Sequence, residues 1–182
     1  MTNYTAAHES RVHLIGPTRL DYPDQHIESD NRLSWFLGGL DLKYGDEPFY
    51  VHLLRDKEQV CRSFMHRWSY YANIMKAFSH GVVMYKPGKM TPEIKYRFAG
   101  FYYDTVNDNI ASFLRHKPFT MTMHLETIER DFAVFWERIG AAGDIDAALA
   151  QLRIKHNATS DKDLSHASIF QRIKRLARIL RP

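Results

Sequence analysis

The stretch from Pro48 to Trp68, PFYVHLLRDKEQVCRSFMHRW, constrains the fold more than any other, because a short β-rich run passes directly into a helix-periodic one. Phe49 to Leu54 is too short to stand as a helix of its own and follows Gly45 and Pro48. It reads as a buried, interior strand of a parallel sheet. Arg55 and Asp56 close the strand. Beyond them Val60, Phe64 and Trp68 recur at helical spacing with Cys61 and Met65 beside them, so one face of the helix is apolar. Gln59, Ser63 and Arg67 form a parallel polar stripe. Open α/β sheets bind ligands beyond the carboxyl ends of their strands, where helix N-termini offer backbone N–H groups to anions. Arg55 stands at such a point with a guanidinium fork suited to phosphate, and Ser63 adds a hydroxyl from the helix. A structural reading of the same residues has Asp56 capping the helix, Arg55 paired with a surface carboxylate and Ser63 on the helix surface.

Further β-rich runs at residues 4–7, 25–28 and 119–123 alternate with helical patterns. Together they predict a single α/β domain over residues 1–182, a small parallel sheet with helices on both faces. Ser29 or Asp30 is placed to cap a helix carrying Leu33, Phe36, Leu37 and Leu40, with Gly38, Gly39 and Asp41 as its stop. Tyr70 to Val83 keeps helical spacing until Gly81. A long helix is expected from Thr91-Pro92-Glu93, where proline suits the first turn, to about Arg115. Leu125 to Glu129 leads into a helix with Phe132, Phe135, Trp136 and Ile139 that Gly140 ends, and Asp144 to Leu152 forms another.

Several function classes are excluded at this level. The net charge of +4 is concentrated at the end of the chain, in Arg172, Lys174, Arg175, Arg178 and Arg181, so it does not point to a nucleic-acid polymer as partner. Those residues lie on a basic amphipathic helix, residues 165–182, whose apolar stripe is Ile169, Ile173, Leu176, Ala177 and Leu180. It either docks on the domain or makes peripheral contact with a membrane or a partner. No signal peptide or membrane-spanning run is visible, which makes the cytoplasm the expected location. Cys61 is the single cysteine, expected as a small buried hydrophobe. His8 and His13 stand five residues apart, about 140° around a helix, which is wrong for a zinc pair, and no metal is expected.

The segment YVHLLRDKEQVCRSF resembles the element by which sulfotransferases that use 3′-phosphoadenosine 5′-phosphosulfate (PAPS) hold the donor's 3′-phosphate. There an arginine ends a strand and a serine follows eight residues later. Arg55 and Ser63 match both positions, while Lys57 stands where that family usually has proline. His8-Glu9 after an early strand, SDNRLSWFLGGL, FTMTMHLETI, FWERIG and KHNAT near Asn157 follow in a similar order, so the likeness spans residues 4 to 160. It implies a P-loop-like sulfotransferase fold and transfer of sulfate from PAPS to a hydroxyl of a carbohydrate or related acceptor. Arg55 and Ser63 would hold the 3′-phosphate and Glu9 would serve as base, with His8 and Asp30 as alternatives. One departure is large. The family's N-terminal Gly-rich loop for the 5′-phosphosulfate has no counterpart, since neither Gly16 nor Gly38-Gly39 lies between a strand and a helix. The chain thus reads as starting late. Either about 25 to 35 residues precede Met1, or the protein has lost half its donor site and is an inactive binding or scaffold protein.

Overall fold

The computed structural model describes residues 1–70, 73–86 and 89–153. Its elements are, in order, β1 (Thr5–His8), β2 (His26–Ser29), α1 (Leu37–Tyr44), β3 (Tyr50–Leu54), α2 (Lys57–Arg67), α3 (Ile74–Lys76), α4 (Pro92–Leu114), β4 (Thr120–His124), α5 (Ile128–Arg138) and α6 (Ile145–Leu152). The chain divides into two compact units. Of the described residues, 1–55 and 106–153 form the first and 56–105 the second. No helix among the described residues is long and apolar enough to cross a membrane. The predicted C-terminal helix, residues 165–182, and the loop around Asn157 lie outside the described residues.

The first unit is mixed α/β and holds all the described strands. β1 pairs in parallel with β2, from Thr5 opposite His26 to His8 opposite Ser29. β3 pairs in parallel with β4, from Tyr50 opposite Thr120 to Leu54 opposite His124. The expected single sheet is instead two two-stranded ones. Hydrophobic runs locate strands but do not say which strand each will bond, and here β2 and β3 do not bond each other.

β3 also departs from the doubly buried strand its composition suggests. His52 is buried, whereas Val51 and Leu53 are 37% and 50% exposed, so only one face is covered. On the covered face Tyr50 meets Phe113 of α4 edge to face at 5.2 Å, and His52 Nε2 hydrogen-bonds Asn107 Oδ1 at 2.8 Å. The amide oxygen can only accept, so it fixes His52 as the tautomer protonated at Nε2. Arg138 of α5 lies over the Phe49 ring and donates to Thr120 O at 2.8 Å, tying α5 to the start of both strands.

α1 runs through Gly38 and Gly39 where the sequence predicts a stop. Packing accounts for the second of them. A Cβ added at Gly39 would come within 2.8 Å of Leu20, so glycine is there to let the loop before β2 lie against the helix. The helix ends at Gly45, whose φ of +56° suits a residue without a side chain. Lys117 then joins this end to the approach to β4, pairing with Asp41 and Asp46 and donating to Gly45 O at 2.9 Å. Those two carboxylates push its pKa up.

The second unit is helical. Cys61 of α2 and Trp68 just past its end are buried, as are Phe98, Ala99 and Tyr102 of α4, while Phe64 meets Tyr102 edge to face at 5.4 Å. On the predicted apolar face of α2, Cys61 and Trp68 are buried, and Val60, Phe64 and Met65 are half-buried. Burial pushes the Cys61 thiol pKa up, as expected of a thiol used for packing. The helix predicted over Tyr70 to Val83 begins at Ile74, where Asn73 accepts from Lys76 N at 2.9 Å, and widens into a π-turn at Ala77–Val82. That turn buries Phe78 against Phe101 and Tyr102. Full burial of one such side chain is worth about 1.5–3 kcal/mol.

Candidate functional site

The carboxyl ends of β1 and β2 gather a network of charged and polar side chains. It is anchored by Asp30, whose side chain is fully buried and pairs with the equally enclosed guanidinium of Arg19. Asp30 also caps the 3₁₀ turn Asn31–Trp35 by accepting from Arg32 N at 2.8 Å. Ser29 or Asp30 was the expected cap, and Asp30 is the one that serves. The Arg32 guanidinium lies 3.6 Å from Asp30 and 2.6 Å from Glu9. The chain of charges thus runs Arg19, Asp30, Arg32, Glu9, from two enclosed side chains to two partly exposed ones, 49% at Arg32 and 31% at Glu9. Pairing with Glu9 raises the Arg32 pKa, so this cation is permanent.

Glu9 is further fixed by its backbone. Its φ is +51°, a left-handed conformation that costs a non-glycine residue about 1–3 kcal/mol and persists only where the surroundings impose it. Here Glu9 N donates to Ser29 O at 3.0 Å, and the next residue, Ser10, donates its backbone N–H to Glu28 at 2.8 Å. Burial favours the neutral form of Glu28, but hydrogen bonds from the Ser10 hydroxyl and amide and from His26 outweigh it and hold the carboxyl below its usual range. His26 takes its tautomer from the same network. Nε2 donates to Glu28 at 3.1 Å, so Nδ1 accepts from the Thr5 hydroxyl at 2.8 Å.

Of the three carboxyl or imidazole candidates for a base, the structure separates the roles. Asp30 is enclosed and committed to Arg19 and Arg32, so it is a fastening and not a base. His8 is exposed, with Nδ1 bonded to Ser29 O at 2.8 Å and Nε2 at 3.8 Å from Glu9. Glu9 is the carboxylate that faces solvent. Sequence reasoning missed Arg19 and Arg32. Arg32 follows a helix cap and could have been suspected, whereas Arg19 sits eleven residues before its partner in a loop with no periodicity to mark it.

At the other predicted position, Arg55 is exposed directly after β3 and is the last residue of the first unit's opening segment. Asp56 caps α2 by accepting from Gln59 N at 2.9 Å, as the sequence suggested. Ser63 is half-buried on α2, in the second unit. The pair therefore falls on the two sides of the division between the units. The glycines show no phosphate cradle among the described residues. Gly16 opens a 3₁₀ turn separated from β1 by residues 9–15 and is not followed directly by an α-helix, and Gly38 and Gly39 lie inside α1. No group of histidine, cysteine and carboxylate side chains suited to a metal occurs among the described residues.

Comparison of the chain with family models, with characterised proteins and with solved structures gives no match, so the reading of this site rests on its own residues and geometry.

Proposed function

We propose that the protein is a sulfotransferase that moves sulfate from PAPS to a hydroxyl of a carbohydrate or related acceptor. The observation that carries this reading is the outward series Arg19, Asp30, Arg32, Glu9 at the carboxyl ends of two parallel strands. Attack by a hydroxyl on a sulfuryl group calls for a base at the hydroxyl proton and for positive charge near the oxygens on which charge builds, much as phosphoryl transfer does. Glu9 supplies the base in this proposal. Arg32 orients it, and the buried Arg19–Asp30 pair orients Arg32. The likeness of YVHLLRDKEQVCRSF to the family's donor element assigns Arg55 and Ser63 to the 3′-phosphate.

The 5′-phosphosulfate does not fit the described residues in the same way, because no strand–glycine loop–helix is among them. Only the work of Glu9 and Arg32 is therefore specified. The same observation favours a second reading, a sulfotransferase-like protein that binds a nucleotide or a partner without turnover. A calorimetric titration with 3′-phosphoadenosine 5′-phosphate on the full chain and on Arg55→Ala tests the donor assignment. We expect binding by the wild type and affinity weaker by about tenfold or more in the variant, the effect of losing a charge-assisted hydrogen bond. No affinity in the wild type removes the donor, and equal affinities remove Arg55. Binding without sulfate transfer selects the second reading.

A further inference from the structure

One face of the β1–β2 ribbon carries a hydroxyl, an imidazole and a carboxylate in series. Thr5 and His26 stand opposite each other in the parallel register, and Glu28 follows His26 by two residues, so the pleat sets all three on the same face. His26 Nε2 lies 3.1 Å from Glu28 Oε2, and an ionised carboxylate can only accept, so Nε2 carries the proton. The lone pair of Nδ1 then accepts from the Thr5 hydroxyl at 2.8 Å. Nucleophile, base and orienting acid follow one another in the order that activates a hydroxyl, with the two ring nitrogens exchanged relative to a serine–histidine–aspartate triad.

Enclosure follows the same order. Thr5 is exposed, while the His26 and Glu28 side chains are only 11% and 5% exposed. Glu28 also accepts from the Ser10 hydroxyl and from Ser10 N at 2.8 Å. Against the cost of burial, these bonds and the one from His26 hold its carboxyl below the usual range, so an anion faces any positive charge that develops on the ring. The Tyr22 ring stacks on His26 at 5.7 Å and within 9° of parallel, which fixes the plane of the imidazole. Backbone strain marks the same place. Of the three non-glycine residues with left-handed φ among the described residues, Gln25 at +52° directly precedes His26 and Glu9 at +51° directly precedes Ser10. Such conformations persist only where the surroundings impose them, and they gather at functional sites. Burying a carboxylate is costly, and a Thr5–His26 bond that served strand pairing alone would not call for one behind the ring.

We propose that Thr5 is an acyl-accepting nucleophile and that the protein hydrolyses carboxylic esters at this face, with His26 as base and Glu28 as the residue that positions it. The proposal does not rest on sulfate transfer. Thr5 Oγ1 bonds to the ester carbonyl carbon while its proton passes to His26 Nδ1. The bond from that carbon to the alcohol oxygen breaks, and the alcohol leaves with the proton from Nδ1. Water then attacks the acyl-threonine and gives a proton to Nδ1. The bond from the carbon to Oγ1 breaks, Oγ1 takes that proton back, and the carboxylic acid departs.

The probe is p-nitrophenyl acetate, given to the full chain, with release of p-nitrophenol followed by absorbance and the acetylated residue located by mass spectrometry of peptides. The expected result is saturable hydrolysis with an acetyl group on Thr5. Thr5→Val should lower turnover by about 10²-fold or more, the scale of general-base activation, and Thr5→Ser should retain it. Valine keeps the branched Cβ and the strand preference at this exposed position, so thermal unfolding should be unchanged. Glu28→Gln should lower kcat with KM unchanged, as for a residue that acts through His26. Hydrolysis by the wild type no faster than in buffer overturns the proposal, as does wild-type turnover in Thr5→Val. Acetylation confined to lysines and histidines overturns it as well, and so does an unchanged kcat in a folded Glu28→Gln. Because Thr5 is exposed, its substitution reads the chemistry whether or not Glu28→Gln folds.

Discussion

Two strand ends in the first unit use a buried carboxylate in opposite ways. Beyond β4, Asp131 accepts from His124 N at 2.9 Å and from the Thr127 hydroxyl at 2.7 Å, and pairs with Arg130. The backbone and hydroxyl donors together hold its pKa down to about 2. Its bonds all close within the turn from β4 into α5. Beyond β2, Asp30 is just as deeply buried and also caps a turn, but its connections continue outward through Arg32 to Glu9. A carboxylate whose bonds close on themselves finishes a fold element. The other has bonds that lead on to a partly exposed, conformationally restrained acid.

The largest expected effect separates the two ends by what removing a partner does. Arg19→Met leaves the Asp30 side chain buried without its main partner, a loss of about 3–5 kcal/mol on urea denaturation for a broken buried pair. A loss below about 1 kcal/mol, the level of an exposed pair, would show that Asp30 does not depend on Arg19 and would break the comparison. The Asp131 end should show itself in pH. Its folded pKa is lowered from 3.8 to about 2, so its stabilisation is complete above the unfolded value and disappears as pH falls through the folded one. The stability gap between wild type and Asp131→Asn, measured by thermal unfolding from pH 6 downward, should hold steady to about pH 4 and close toward about pH 2. A gap that does not narrow would mean the carboxylate's charge is not what the turn uses. The smallest effect on stability belongs to Arg32→Gln. The Arg32 and Glu9 side chains are 49% and 31% exposed, and partly exposed pairs contribute about 0–1 kcal/mol. If this substitution unfolds the protein, Arg32 is structural and the outward series has no functional end.

Much of this arrangement was legible in the sequence where local chemistry decides. The strand-to-helix passage at Pro48–Trp68, the caps at Asp30 and Asp56, the start of α4 at Pro92 and the short helix after Asp144 all follow from residue type and spacing. What escaped depends on neighbours distant in sequence. The alternation in β3 was hidden because its covered face carries the polar His52 while its exposed face, Val51 and Leu53, is apolar, and only packing shows which is which. Helix α1 crosses two glycines, and at one of them, Gly39, the Leu20 side chain occupies the space a Cβ would take. At the site, Glu9 was named through resemblance alone, and its restraint by Arg32 and by its own left-handed backbone is a product of the β1–β2 pairing. Arg55 and Ser63 were visible as residue types, but spacing alone does not distinguish a donor site from an ordinary helix start.

The central claim is that Glu9 is placed for proton transfer, and the most direct test is sulfate transfer from PAPS by wild type and Glu9→Gln, with 3′-phosphoadenosine 5′-phosphate binding measured on both. The account predicts equal nucleotide affinity and a turnover reduced by about 10²–10⁴-fold in the variant, the contribution of a positioned base. Undiminished turnover by Glu9→Gln would contradict it.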